Sequence, residues 1–183
     1  VAFGDSDGWP AFHMFSIWTN SLAGKEKMDE LLFGGASWQD PVVVDAIQKF
    51  FVDMNAAGYL IPTPTAVNYD DSALLFTSGQ AGIMITGTWL ISQVVEQATF
   101  EPGWFFVPNP AGGDPLPPAG LGSGYFVSSK SAYPEESIAF LDFLFDPANA
   151  QIWAEQMNIV PPYAIDASGY NVPALYSFAL EAL

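Results

Sequence analysis

The chain has no cysteine, no arginine and a single histidine. Without cysteine there is no disulfide, no thiolate nucleophile and no cysteine-ligated metal, and the redox compartment stays undecided. Without arginine there is no bidentate clamp for phosphate or carboxylate, which argues against an anionic substrate. Positive charge is scarce altogether: Lys+Arg 4 stands against Asp+Glu 20, a formal charge of -16. Such a surface repels nucleic-acid backbones and anionic lipid headgroups. Also missing is any apolar run near the ~20 residues that a membrane-spanning helix needs. The opening VAFG carries neither a basic n-region nor an apolar h-region. It reads as the inside of a strand, so the expectation is a piece of a larger secreted protein. No internal repeat or low-complexity tract is visible. What is there is 50% hydrophobic over 183 residues, ample for one sizeable domain.

The most informative stretch runs from Asp71 to Gln97. Asp71 to Ser78, with apolar Ala73, Leu74 and Phe76, reads as a helix stopped by Gly79 in a left-handed C′ position. Ala81 to Thr86 is short, apolar and partly β-branched, the size of a strand buried on both faces. Gly87 breaks it, Thr88 can cap, and Trp89 opens the next helix. There Leu90, Ile91, Val94, Val95 and Ala98 form one stripe, and Trp89 falls nearly opposite, beside Ser92, Gln93 and Glu96. An aromatic residue on a polar face, just after a buried strand, sits where α/β sheets place ligands. The alternative is a tryptophan packed under a neighbouring loop.

Elsewhere the pattern alternates short apolar runs with amphipathic helices. Val1 to Gly4 is a short strand ending in the turn GDSDG, and Pro10 starts a helix to about Leu22. Its buried stripe is Ala11, Met14, Phe15, Trp18 and Leu22. His13, Ser16 and Asn20 face the other way, which leaves His13 near Asp5, Asp7 and Trp9 as either a solvated side chain or a ligand contact. One histidine and two loose carboxylates make a poor transition-metal site, and no cofactor motif is present. Gly24 to Ser37 reads as a connector. Asp40-Pro41 starts a helix with Val43, Ile47, Phe50, Phe51 and Met54 inward until Gly58. Residues 59–68 form an extended linker. After Gln97 come a strand at Trp104 to Val107, a Pro/Gly-rich loop and a strand at Tyr125 to Ser128. Glycines 120, 122 and 124 alternate before that strand and allow close backbone approach by a ligand, but they do not form a phosphate-binding fingerprint. Pro134 to Phe145 is a helix with Ile138, Leu141, Leu144 and Phe145 inward. Asp146-Pro147 starts another, to about Gln156. Asn171 to Leu183 is a last helix with Leu175, Phe178, Ala179 and Ala182 on one face. The alternation predicts one α/β domain over residues 1–183, with a central mixed sheet flanked by helices.

Two longer patterns carry a resemblance. One comprises Phe76, Gly79, Gln80, Ala81, Met84, Gly87 and Trp89 behind an acidic helix. The other is FVPNPAGGDPLPPAGLGSGYFVSSKSAYPEESIAFLDFLFDPANAQIWAEQMNIVPP. Their order and spacing, from Asp5 to Pro162, resemble the extracellular solute-binding proteins of ABC importers, the family that includes sugar receptors. The resemblance implies two α/β lobes of the periplasmic-binding-protein type, joined by a hinge around a ligand cleft. The chain resembles the C-terminal lobe, with the N-terminal lobe absent. By the same resemblance the half-site comprises Trp89, Gly87, Gly122, Ser123, Asp7 and Trp9, with His13 beside them. The implied ligand is a small polar solute, with a sugar as the expectation. Its further partners are the N-terminal lobe and the permease subunits, and its place is extracellular or periplasmic, secreted or lipid-anchored through a segment not in this chain. An indole face suits the C–H face of a pyranose, and carboxylates and amides suit its hydroxyls.

Two other classes compete. Asp5 and Asp7 could form the carboxylate pair of a carbohydrate-active enzyme. They lie two residues apart in a glycine-rich turn with no apolar pocket to raise one pKa, so the expectation is no enzyme. The third class is a protein-interaction module.

Overall fold

The computed structural model describes residues 1–115, 124–161 and 163–181. Its α-helices are α1 (Trp9–Leu32), α2 (Pro41–Ile47), α3 (Tyr69–Thr77), α4 (Ile91–Gln97), α5 (Pro134–Leu144), α6 (Ala150–Met157) and α7 (Ala174–Glu181). None of the described helices is long and apolar enough to cross a membrane. The chain divides into two compact units. The first takes residues 1–85, 97–101 and 105–115, and the second residues 86–96, 102–104 and the described residues from 124 onward.

The expected central mixed sheet is not formed, and the α/β assignment is corrected to a mainly helical chain. Among the described residues the regular β pairing is one parallel bridge, Ala2 with Met84. Ala2 N–H donates to Ile83 O at 2.7 Å, and Ile61 N–H donates to Val1 O at 3.2 Å. Three extended stretches therefore meet for a residue or two each, short of a ladder with successive pairs. The runs at 104–107 and 125–128 are irregular. The physical reason is that an apolar, β-branched run reports burial rather than pairing. Phe3 is buried against Met14, Phe50 and Leu60, not inside a sheet. Ile83, placed in a strand buried on both faces, is exposed.

In the first unit, α1 begins with proline in its first turn, and the Asp5 carboxylate accepts from Ala11 N–H at 2.8 Å. The helix does not stop at Leu22. It breaks at Gly24 (φ 71°, ψ 171°) and resumes to Leu32, so most of the expected connector is helical. Lys25–Asp29 at 2.6 Å and Lys27–Glu30 at 2.9 Å support that second part at helical spacing. At α2, Asp40 accepts from Val42 N–H at 3.0 Å as the N-cap expected. The helix continues as a π-helical segment, Gln48–Met54, and Gly58 follows with φ 73°. Its buried line is Val43, Ala46 and Phe50, whereas Ile47 is exposed. At spacings of three and four that line is itself an ordinary helical stripe, running through Ala46 instead of Ile47. The Phe50 ring meets Phe3 edge-on at 5.2 Å and Phe51 at 4.8 Å, closing a compact aromatic core.

The second unit is held differently. No residue of α5 is buried, and Ile138, expected inward, is 52% exposed. Its C-terminal end is anchored. Trp153 Nε1–H donates to Leu144 O at 2.9 Å, and the Phe145 ring stacks at 6.1 Å from Trp153 and meets Tyr125 edge-on at 5.1 Å. Asp146 accepts from Ala148 N–H at 2.9 Å and starts the short 3-10 turn Pro147–Asn149 ahead of α6. α7 buries Leu175 and Ala179 as expected, while Phe178 is exposed and Ala182 lies outside the described residues. Tyr176, absent from the expected face, is fully buried and donates to Ile159 O at 3.2 Å. Burial pushes its phenol pKa above the ordinary value.

Candidate functional site

The first group of expected site residues lies in the loop that leads into α1. Gly4 allows that loop to run against residues 67 and 68. A methyl at Gly4 would collide with the main chain of Asn68 and stand 2.7 Å from Val67 O. Asp5 N–H donates to Pro64 O and Ser6 N–H to Val67 O, at 2.9 and 3.0 Å. The Asp7 carboxylate then accepts from Tyr69 N–H at 2.8 Å, capping the start of α3. This seating brings Trp9 against Tyr69, with ring centroids 4.6 Å apart and planes tilted by 47°. His13, one helical turn on, meets Trp9 edge-on at 5.3 Å. Asp7, Trp9 and His13 thus gather in one place with Tyr69 added.

Tyr69 follows directly on the expected linker 59–68 and drew no attention in the sequence. The signal that could have exposed it is Asn68, whose side chain accepts from Asp71 N–H at 2.7 Å as the N-cap of α3. Starting the helix at Asn68 puts Tyr69 in its first turn. The two aspartates of the turn are both committed to backbone amides six or more residues away, Asp5 to Ala11 and Asp7 to Tyr69. Each carboxylate thus serves at a helix start. Among the described residues no three carboxylate or histidine side chains gather in a way that could hold a metal ion.

The second group lies in the second unit. Gly87 precedes a 3-10 turn, Thr88–Leu90, that runs into α4, and Thr88 sits inside that turn rather than capping it with its side chain. Leu90, Ile91 and Val94 are buried, whereas Trp89 is 51% exposed. Val95, expected on the buried stripe, is exposed as well. The Trp89 indole folds back over Gly87: a methyl there would overlap the six-membered ring. Glycine is therefore the residue that lets the ring lie flat on the backbone. Gly122 and Ser123 lie outside the described residues.

A model of the bacterial extracellular solute-binding protein family matches residues 1–151. No curated protein matches the chain by sequence. Among solved structures, one described as a chitin oligosaccharide binding protein is similar at a TM-score of 0.76 and 25% identity. The match covers 98% of this chain and 47% of that one, so the chain spans about half the length of the structure it matches. The family match extends over most of the chain and includes both groups of residues described above. The chain belongs to the bacterial extracellular solute-binding protein family.

Proposed function

We propose that the chain is the C-terminal lobe of an extracellular carbohydrate receptor that passes its ligand to an ABC permease. The observation that carries this reading is the likeness, over 98% of the chain, to a chitin oligosaccharide binding protein. The local chemistry supports it. Trp9 and Tyr69 give an apolar, aromatic surface for the C–H face of a sugar ring, with the Asp7 carboxylate beside it as a hydroxyl acceptor. Trp89, lying on Gly87, is a second exposed indole of the same kind, and His13 borders the first. Gly122 and Ser123 stay in the proposed site on the strength of the motif alone. The N-terminal lobe of the same receptor supplies the facing half of the cleft. The receptor works outside the cytoplasm, in the periplasm or anchored at the cell surface.

Binding without catalysis is part of the proposal, because Asp5 and Asp7 are both engaged in capping. The test is calorimetric titration of the complete receptor with chitin oligosaccharides, an unrelated neutral oligosaccharide and an amino acid. Saccharide binding accompanied by a change in tryptophan fluorescence is expected, with no release of aryl alcohol from aryl glycosides. Binding of the amino acid alone, or turnover of the glycosides, would overturn the proposal.

A further inference from the structure

Thr63 holds a backbone conformation that its residue type disfavours. It is left-handed, with φ 51° and ψ 56°, although it is β-branched and stands directly before Pro64. A branched Cβ makes that region an outlier, and a following proline presses a residue toward extended angles. Among the described residues, the other non-glycine with positive φ is Asn158, of a type that tolerates it. The Thr63 side chain is exposed and makes no capping bond, so the main chain around it is what holds the conformation.

That main chain reaches the candidate site. Residues 61–69 run beside residues 1–7, with contacts that advance along both. Ile61 N–H donates to Val1 O, Asp5 N–H to Pro64 O, Ser6 N–H to Val67 O, and Tyr69 N–H to the Asp7 carboxylate. Thr63 opens the 3-10 turn Pro64–Ala66, which Ala66 N–H closes by donating to Thr63 O at 2.9 Å. The turn and the residue after it present the Pro64 and Val67 carbonyls to the loop ahead of α1. At a φ near −65° the chain would leave Thr63 in another direction and carry both carbonyls away.

We propose that Thr63 is a positioning residue for the saccharide surface. Its left-handed conformation seats residues 4–8, and through Asp7 that seat sets Trp9 against Tyr69. The proposal rests on the reading of Trp9 and Tyr69 as part of a saccharide site. A residue held in a disfavoured region is fixed by its surroundings, and local opening releases it. The seat is therefore weaker than its hydrogen bonds alone would make it.

The test is hydrogen exchange of residues 4–9 and 64–70 in the complete receptor, with α2 as internal reference, beside calorimetric titration with chitin oligosaccharides. Thr63→Asn keeps the left-handed angle with less strain. It should slow exchange of both segments by about fivefold, leave α2 unchanged and retain affinity within about twofold. Thr63→Pro forbids the angle. It should speed exchange of both segments and weaken saccharide binding, each by about tenfold. Unchanged segments in Thr63→Asn, or a change that α2 shares, would overturn the proposal, and that variant decides it alone if Thr63→Pro does not fold. An opened loop with undiminished saccharide affinity would overturn it as well. A parent receptor that binds no saccharide sinks the receptor reading, and the exchange pattern then still decides whether Thr63 seats the loop.

Discussion

The two units handle aromatic residues in opposite ways. In the first, Phe3 and Phe50 are buried with Met14 and Leu60, and Phe51 and Trp18 pack against that cluster. In the second, the rings of α5 face outward and the unit is tied together by the end of that helix, by Trp153 and by Tyr176. Both stretches have strong amphipathic character in sequence. The lesson is that an apolar stripe states that a face needs cover, not where the cover comes from. The first unit finds it among the described residues, and α5, on those residues, keeps its rings exposed.

The largest effect that would break this comparison comes from truncating one phenylalanine in each unit. Phe50→Ala removes a fully buried ring from the first core and should cost about 3–5 kcal/mol. Phe140→Ala removes a ring already in solvent and should stay within about 0.5 kcal/mol in the isolated chain. Urea unfolding followed by far-ultraviolet circular dichroism measures both. Similar losses at the two sites would mean that α5 is packed after all.

Next in size is Trp89, the exposed indole of the second unit. In the complete receptor, Trp89→Ala should remove ring stacking of about 0.5–1.5 kcal/mol plus the area covered by the sugar. That corresponds to roughly a tenfold or greater loss of affinity. The melt should hardly move, because Leu90, Ile91 and Val94 keep the helix docked. Gly87→Ala sharpens the point: the indole stays but its seat is filled, so affinity should fall in the same direction. If both variants bind as tightly as the parent, Trp89 has no part in recognition.

A smaller contrast lies in two identical motifs. Asp40-Pro41 and Asp146-Pro147 each start a helical segment, with the carboxylate accepting from the amide two residues on, at 3.0 and 2.9 Å. Asp40 caps a helix whose residues Val43 and Ala46 are buried, and Asp40→Ala should cost about 1 kcal/mol. Asp146 caps a three-residue 3-10 turn with no buried residue, so Asp146→Ala should cost less, about 0.5 kcal/mol. Thermal melts of the two variants rank them. The reverse order would show that local cap geometry, not the packing behind it, sets the stability.

These motifs were also the most legible part of the sequence. Asp-Pro starts and glycine stops act within a few residues, so Asp40, Asp146, Gly58 and Gly79 could be placed without any tertiary knowledge, and the last two have φ of 73° and 78°. That the expected sheet does not form could not be read this way, because the apolar run Ala81 to Thr86 suggests burial but names no partner strand. The second part of α1 was missed because Gly24 looked like an ending, although Lys25–Asp29 and Lys27–Glu30 already stood at helical spacing. For the candidate site, the Asp7–Trp9–His13 neighbourhood was visible as one local stretch. Tyr69 was not, since its approach depends on a hydrogen bond spanning 62 positions.

The smallest expected effect concerns the polar tie that joins α6 to the segment ahead of α7. Glu155 Oε1 accepts from Asn171 N–H at 2.8 Å and from the Gln151 side chain at 2.7 Å. The Asn171 bond, then the Gln151 bond, hold the Glu155 pKa below the ordinary glutamate value, with desolvation opposing them weakly. A folded pKa below the unfolded one means that the charged form is favoured by folding. Its contribution is therefore present above the unfolded pKa of about 4.3 and disappears as pH falls through the folded value. Asp166 is shifted the same way by Ser168, so the useful quantity is a difference between two proteins that share it. Melting curves of the parent and of Glu155→Gln should be separated at pH 7 and converge toward pH 3. The separation will be small, because the carboxylate lies in solvent, where screening weakens such contacts. A gap that stays constant to pH 3 would mean the glutamine disturbs packing rather than charge. No gap at pH 7 would mean that the second unit holds α6 and α7 together through Tyr176 without this tie.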